Sequence, residues 1–147
     1  MPLSQTGLAP RATVCGPGPV TSIAPSGLTQ RGLFDVEGYD NPPNLTGGSI
    51  SFPFELTSVP KVVEVPSGAT NPDPTHCSGT PDQPTAAPGF LCLYDRTYHN
   101  VVAPPAPLVA ENVDGSFGAS PFGVWLNVEA ATTGVVFVEG SWAVTAP

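Results

Sequence analysis

The stretch from Pro121 to Pro147, PFGVWLNVEAATTGVVFVEGSWAVTAP, decides the fold class because its apolar residues recur at every second position. A period of two is typical of β-strands, in which successive side chains point to opposite faces. The apolar positions form two sets: Phe122, Val124, Leu126 and Val128, then Val136, Val138, Trp142 and Val144. The residues between the two sets, EAATTG, predict a β-hairpin closed at Thr132 to Gly134.

The segment GSISFPFEL, residues 48–56, repeats this alternation. It places Ile50, Phe52 and Phe54 on one face together with Leu56. Pro53 lacks the N–H group that a central strand needs for its ladder. We therefore predict an edge strand or a β-bulge at this point.

Further segments complete an all-β pattern. Residues 90–95, FLCLYD, are apolar on both faces and predict a strand that is half buried on each side. The other strand segments are Leu33–Glu37, Val62–Val65, Leu108–Val113 and Ala12–Cys15. Seven or eight short strands separated by turn signals predict an antiparallel β-sandwich, with a jelly roll as the favoured topology.

Proline and glycine occur throughout the chain, with 20 and 16 residues among 147. An interior proline costs a helix about 3 kcal/mol, which argues against helices in most windows. The length suits one domain. We predict an N-terminal arm and first strand in residues 1–26 and one sandwich in residues 27–147. The long Pro/Gly-rich loops are predicted at Gly16–Gly27, Asn41–Gly48 and Ser67–Pro88.

The charge balance and the lengths of the apolar runs argue against two classes of partner. The net charge is −8, and the only basic side chains are Arg11, Arg31, Lys61 and Arg96. A nucleic-acid partner requires clustered Lys and Arg, so we predict none. No apolar run approaches the roughly 20 residues of a membrane span, and the N-terminus lacks the pattern of a secretory signal. We expect either packaging into a particle inside the cell or a piece of a longer chain.

Cys77 and Cys92 bracket a loop built from Pro, Gly, Thr and Ala. A disulfide closing such a loop stabilises the fold by about 3 kcal/mol in the chain-entropy model. Two free thiols are the alternative, and a zinc site is disfavoured because no second ligand pair with short spacing exists. The third cysteine, Cys15, is predicted to be either a small buried residue or half of an intersubunit disulfide.

Candidate catalytic groups are sparse. His76 and His99 lie in predicted loop regions, and no nucleophile motif accompanies either of them. Asp35, Glu37 and Asp40 cluster in sequence, but their spacing matches no calcium loop, so we interpret them as a solvated strand face. The sequence predicts no enzyme activity, no metal site and no cofactor.

Aromatic residues offer a different kind of site. Trp125 falls on the strand face opposite its apolar neighbours, which predicts an exposed or interfacial indole, whereas Trp142 lies on the apolar face and is predicted to be core. Candidates for stacking on a sugar or contacting a partner are Trp125, Tyr94, Tyr98 and Tyr39.

Five segments, SGLTQRGLFDVEG, GGSISFPFEL, CSGTPDQPTAAPGFLCLY, GASPFGVWL and GSWAVTAP, resemble a family of actinobacterial and actinophage β domains. These domains are often found at the C-terminal end of collagen-like or fibre-like proteins. The resemblance covers Gly27 to Pro147, and the family's cysteine pair matches Cys77 and Cys92. It implies no catalytic residues. The chain departs from the fibre members in having no Gly-X-Y tract, which suits a free-standing unit with a short arm, residues 1–11.

The sequence and this resemblance together predict a non-enzymatic structural or attachment protein on a particle exterior. The first setting is a bacteriophage virion surface, as a capsid decoration protein or a fibre or spike tip. Its predicted partners are a major capsid or tail protein, or copies of itself in a homotrimer. The alternative is a lectin-like, carbohydrate-binding adhesive domain of a bacterial surface protein that contacts a host-surface glycan. A hydrolase is a third, weaker reading.

Overall fold

The chain forms two β-sheets that enclose one apolar core, as seen in a computed structural model that describes residues 23–147. The strands are β1 (Thr29–Asp40), β2 (Leu45–Ser51), β3 (Lys61–Val65), β4 (Phe90–His99), β5 (Val109–Glu111), β6 (Gly123–Glu129) and β7 (Gly134–Thr145). One sheet has the order β1-β7-β4-β3 and the other β2-β6-β5. The predicted all-β sandwich is therefore confirmed. The predictions for the N-terminal arm, the strand at residues 12–15 and Cys15 lie outside the described residues.

The strands pair in a nested order. The first strand pairs with the last, β1 with β7, and the second with the next to last, β2 with β6. This nesting resembles the wrap of a jelly roll, but β3 pairs with β4 in parallel, so one pair departs from the antiparallel prediction. A parallel pair requires a long connection, and residues 66–89 provide it. The more specific prediction of a jelly roll is not confirmed.

The predicted hairpin at Thr132 to Gly134 is wrong, because β6 and β7 belong to different sheets. The residues between them cross from one sheet to the other. Asn100 secures this crossing, since its side chain donates to the carbonyl oxygens of Thr132 and Val135 at 2.8 and 3.0 Å and accepts from the Thr132 N–H at 3.0 Å. A hairpin and a sandwich corner give the same alternation, because in both cases the two strands direct apolar residues to one core.

The alternating apolar residues form that core, as predicted. It includes Phe34, Val36, Ile50, Phe52, Leu56, Val124, Leu126, Val128, Val136, Val138, Trp142 and Val144. Phe54 and Phe122 are exceptions, with exposed fractions of 41% and 50%. The reason at Phe54 is that β2 ends at Ser51, so the strand alternation does not continue through Pro53.

Strand β4 is buried on both faces, as its sequence predicts. Leu91 and Leu93 face the main core, while Cys92 and Tyr94 face a smaller cluster beneath residues 66–89. Cys77 and Cys92 form a disulfide with their Cα atoms 5.6 Å apart, so this alternative from the sequence is confirmed. The covering segment is also bonded to β7, where Ser141 and Thr145 donate to its carbonyl oxygens at 2.7 and 2.8 Å.

Candidate functional site

The outer face of the three-stranded sheet presents a fixed tryptophan. Val124 and Leu126 point into the core, so Trp125 between them points outward with 47% of its surface exposed. Its two strand-pairing partners are Ser49 on β2 and Glu111 on β5. Strand pairing on both sides therefore holds the indole between a small hydroxyl side chain and a carboxylate. We call the outward-facing residues Trp125, Ser49, Glu111, Asn127 and Gly47 the Trp125 platform.

The polar half of the Trp125 platform is organised by one hydrogen bond. Asn127 Nδ2 donates to Glu111 Oε2 at 2.9 Å. Gly47, the strand partner of Asn127, leaves room for this amide, because a Cβ atom there would lie 2.8 Å from Asn127 Oδ1. A larger side chain at position 47 would have to displace the amide. The sheet therefore presets a carboxylate and an amide oxygen next to the indole.

Two shallow depressions flank the indole and share Trp125, Ser49 and Glu111 in their walls. One has a volume of about 100 Å³ and is bordered by the half-exposed side chains of Phe122 and Val113. The other has a volume of about 400 Å³ and extends over Gly47 and Asn127. The indole thus borders two hollows, one of which adds the aromatic side chain of Phe122 and the other the amide of Asn127.

The charge around the Trp125 platform is negative. Its three strands contain Glu111 and Glu129 and no lysine or arginine. The basic residues of the described chain lie in the other sheet, Arg31 on β1, Lys61 on β3 and Arg96 on β4. An anion at the Trp125 platform would meet no cationic side chain from these strands.

The other predicted contact residues do not join Trp125. Tyr39 is 73% exposed, but it lies on β1 in the four-stranded sheet. Tyr98 packs against the core. Tyr94 is fully buried; its hydroxyl donates to the Thr85 carbonyl oxygen at 2.6 Å and accepts from the Gly79 N–H at 2.9 Å. The expectation that Tyr94 contacts a sugar is therefore wrong, because residues 66–89 cover it.

The two histidines have structural contacts. His76 Nδ1 lies 2.8 Å from Asp73 Oδ1, and its ring stacks on Phe90 with the centroids 4.0 Å apart. The hydrogen bond with His76 lowers the pKa of Asp73. His99 stacks on Phe137 at 5.7 Å. These contacts brace the segment that carries the disulfide and the outer face of β7.

A carboxyl pair inside the sandwich was not nominated from the sequence. Asp95 is 1% exposed, and burial raises its pKa to about 9, with a further increase from the charge of Glu64. Burial also raises the pKa of Glu64, although hydrogen bonds with Asp95 and the Leu108 N–H oppose this shift. Two carboxyl groups hydrogen-bond only if one carries a proton. The inward position of Asp95, after Leu91 and Leu93, was the available signal.

Within residues 23–147, no helix has the length and apolar character to cross a membrane, and no cluster of three or more metal-ligating His, Cys, Asp or Glu side chains occurs. Comparison with protein families, curated proteins and solved structures found no match. The Trp125 platform is the candidate site that rests on the geometry of the chain itself.

Proposed function

We propose that this protein is a non-enzymatic attachment module on the exterior of a particle, and that it presents the Trp125 platform to the surface it attaches to. One observation carries the proposal: an indole that is nearly half exposed is fixed at the centre of a sheet whose reverse face is the core. Exposed aromatic residues on rigid elements are typical of recognition sites, because little conformational freedom is lost on binding.

The setting we favour is the surface of a bacteriophage virion, where the chain would act as a capsid decoration protein or a fibre or spike tip. The resemblance to β domains of fibre-like proteins supports this setting. The disulfide supports it as well, because disulfides persist outside the reducing cytosol. In this proposal a major capsid or tail protein, or a homotrimeric arrangement of copies, holds the module in place.

A lectin-like adhesive domain of a bacterial surface protein is the second candidate, and it would use the same Trp125 platform. The hydrogen-bonded pair Asn127–Glu111 beside the indole favours it, because sugars are recognised by polar groups next to an apolar ring face. Both candidates assign the work to the outer surface. The Glu64–Asp95 pair serves neither, since Asp95 is inside the sandwich.

Particles that carry variants of the chain provide the test. We expect antibodies against the chain to label intact particles, and particles lacking the chain to adsorb poorly to host cells. Particles with Trp125→Ala should retain the chain and adsorb poorly. Particles with Tyr39→Ala are the control, because Tyr39 is equally aromatic and more exposed but lies on the other sheet. Normal adsorption without the chain, or absence of the chain from the particles, would reject the proposal.

A further inference from the structure

We propose that the Trp125 platform binds a neutral glycan, with one pyranose ring stacked on the indole and its hydroxyl groups donating hydrogen bonds to Glu111 and Asn127. This inference rests on the proposed function and names the ligand class of the same site. It is carried by the exposed indole, the fixed carboxylate–amide pair and the negative charge of the sheet.

The indole provides the apolar part of such a site. The face of an aromatic ring is the negative part of its quadrupole, so it attracts the weakly positive C–H groups that cover one face of a pyranose. Because strands pair with β6 on both sides of Trp125, the backbone from which its ring projects is fixed before a ligand arrives. Burial of the exposed ring surface on binding adds to the affinity.

The polar neighbours favour a ligand that is rich in hydrogen-bond donors. An ionised Glu111 has only acceptors, and Asn127 already uses an N–H group to bond it, which leaves the Asn127 carbonyl oxygen as a further acceptor. Ser49 contributes a hydroxyl group that both donates and accepts. Sugar hydroxyl groups match this set, since each carries a donor.

The charge selects among glycans. A uronic acid, a sialic acid or a phosphate polymer would bring negative charge next to Glu111, in a sheet that has no basic side chain on its strands. Such juxtaposition of like charges disfavours binding. The same argument opposes a second copy that packs this face against itself, because the two Glu111 carboxylates would approach each other. The charge therefore favours a neutral saccharide as the occupant.

The two depressions beside Trp125 favour a ligand with more than one sugar ring. The larger depression, about 400 Å³, falls within the range of roughly 300–1,000 Å³ that small-molecule sites occupy. The smaller depression adds the exposed side chain of Phe122. An oligosaccharide centred on Trp125 would place a neighbouring ring in each hollow, so affinity should increase from the monosaccharide to the trisaccharide.

Titration of the purified protein tests the inference. The probes are cello-, malto-, manno- and galacto-oligosaccharides of one to four residues, with oligogalacturonate of matched length as the anionic comparison. Calorimetry and tryptophan fluorescence report binding, and an emission change would come from Trp125 because Trp142 is buried. We expect at least one neutral series to bind and oligogalacturonate not to bind.

Variants connect that binding to the Trp125 platform. Trp125→Ala should weaken it by about tenfold or more, Trp125→Phe by less, and Tyr39→Ala should leave it unchanged. Glu111→Gln should weaken the neutral ligand by a few-fold and reduce the discrimination against oligogalacturonate. Circular dichroism spectra that match the wild type would exclude misfolding.

Three results would overturn the inference: no binding by any neutral series, equal binding by Trp125→Ala, or a preference for oligogalacturonate. Failure of the proposed function is distinguishable from these. If the chain is found on particles and promotes adsorption but binds no neutral glycan, only the ligand class is rejected. If the chain binds glycans but is absent from particles, the particle setting is rejected and the ligand class remains.

Discussion

Glu64 on β3 and Asp95 on the neighbouring strand β4 lie close enough that the charge of Glu64 adds to the effect of burial in raising the pKa of Asp95. Within residues 23–147, no N–H or hydroxyl group donates to either oxygen of Asp95. A proton on Asp95 is therefore what makes its burial tolerable, since an unpaired buried charge would be strongly destabilising.

This pair makes a prediction for pH dependence. The pKa of Asp95 is about 9 in the folded state and 3.8 as its ordinary value, so the folded state binds more protons between these limits. Its contribution to the free energy of unfolding is complete below about pH 4 and is lost as the pH rises toward 9. Urea unfolding at several pH values should show that Asp95→Asn removes part of this decline.

Asp114→Asn is the control for this comparison. Hydrogen bonds from Ser116 lower the pKa of Asp114, so any contribution from Asp114 is present at neutral pH and is lost only as the pH falls through the acid range. Its variant should follow the wild type between pH 6 and 9. Parallel curves for the wild type and Asp95→Asn across the same range would contradict a raised pKa at Asp95.

The disulfide makes a second prediction. Replacement of both Cys77 and Cys92 by serine should lower the free energy of unfolding by about 3 kcal/mol, because the bond closes a 15-residue separation. Hydrogen exchange should increase most in residues 66–89. Mass spectrometry without reduction should find a peptide that links the two cysteines in the wild type, and two alkylatable thiols would refute the bond.

A third prediction compares two phenylalanines of one short segment. Phe52 is 7% exposed and its ring centroid lies 5.7 Å from that of Trp142, whereas Phe54 is 41% exposed. Phe52→Ala should lower the free energy of unfolding by about 3–5 kcal/mol. Phe54→Ala, the matched control, should cost less than about 1 kcal/mol. Equal losses would show that the strand alternation continues through Pro53.

The crossing between the sheets makes a fourth prediction. Asn100 has a φ of 52° and holds Thr132 and Val135 through its side chain. Asn100→Ala loses these bonds and replaces asparagine by a residue that tolerates the left-handed region less well, so it should cost about 1–3 kcal/mol in denaturant unfolding. Asn100→Gly also loses the bonds, but glycine adopts the left-handed backbone conformation without strain. An intermediate loss in the glycine variant would separate the two causes, and an unchanged midpoint in both would reject this role.

The sequence predicts the faces of strands better than their partners. Alternation correctly assigns Val36, Leu126 and Val138 to the core and Trp125 to the outside, because side-chain direction follows from local backbone geometry. Pairing is not local. The same alternation permits a hairpin between β6 and β7 or a corner between two sheets, and the corner that forms is hydrogen-bonded by Asn100, a residue distant in sequence.

The candidate site shows the same division. Alternation indicates that Trp125 is exposed, but its neighbours Glu111 and Asn127 come together only through the register of β5 on β6. Nothing local in the sequence specifies that register. Tyr94 fails for a related reason, because the outward face of β4 is covered by a segment that alternation cannot place.

The disulfide-linked segment 66–89 lies over the outer side of β3 and β4, whereas no other part of residues 23–147 forms such a cover over the outer side of β2, β6 and β5. The outer faces of the two sheets therefore differ, and only the four-stranded sheet is covered in this way. Copies that attach to a support through the face covered by residues 66–89 would all present Trp125 on the side away from the support. A lattice of such copies would grip a repetitive polymer through many individually weak contacts, with a combined strength well beyond that of a single contact.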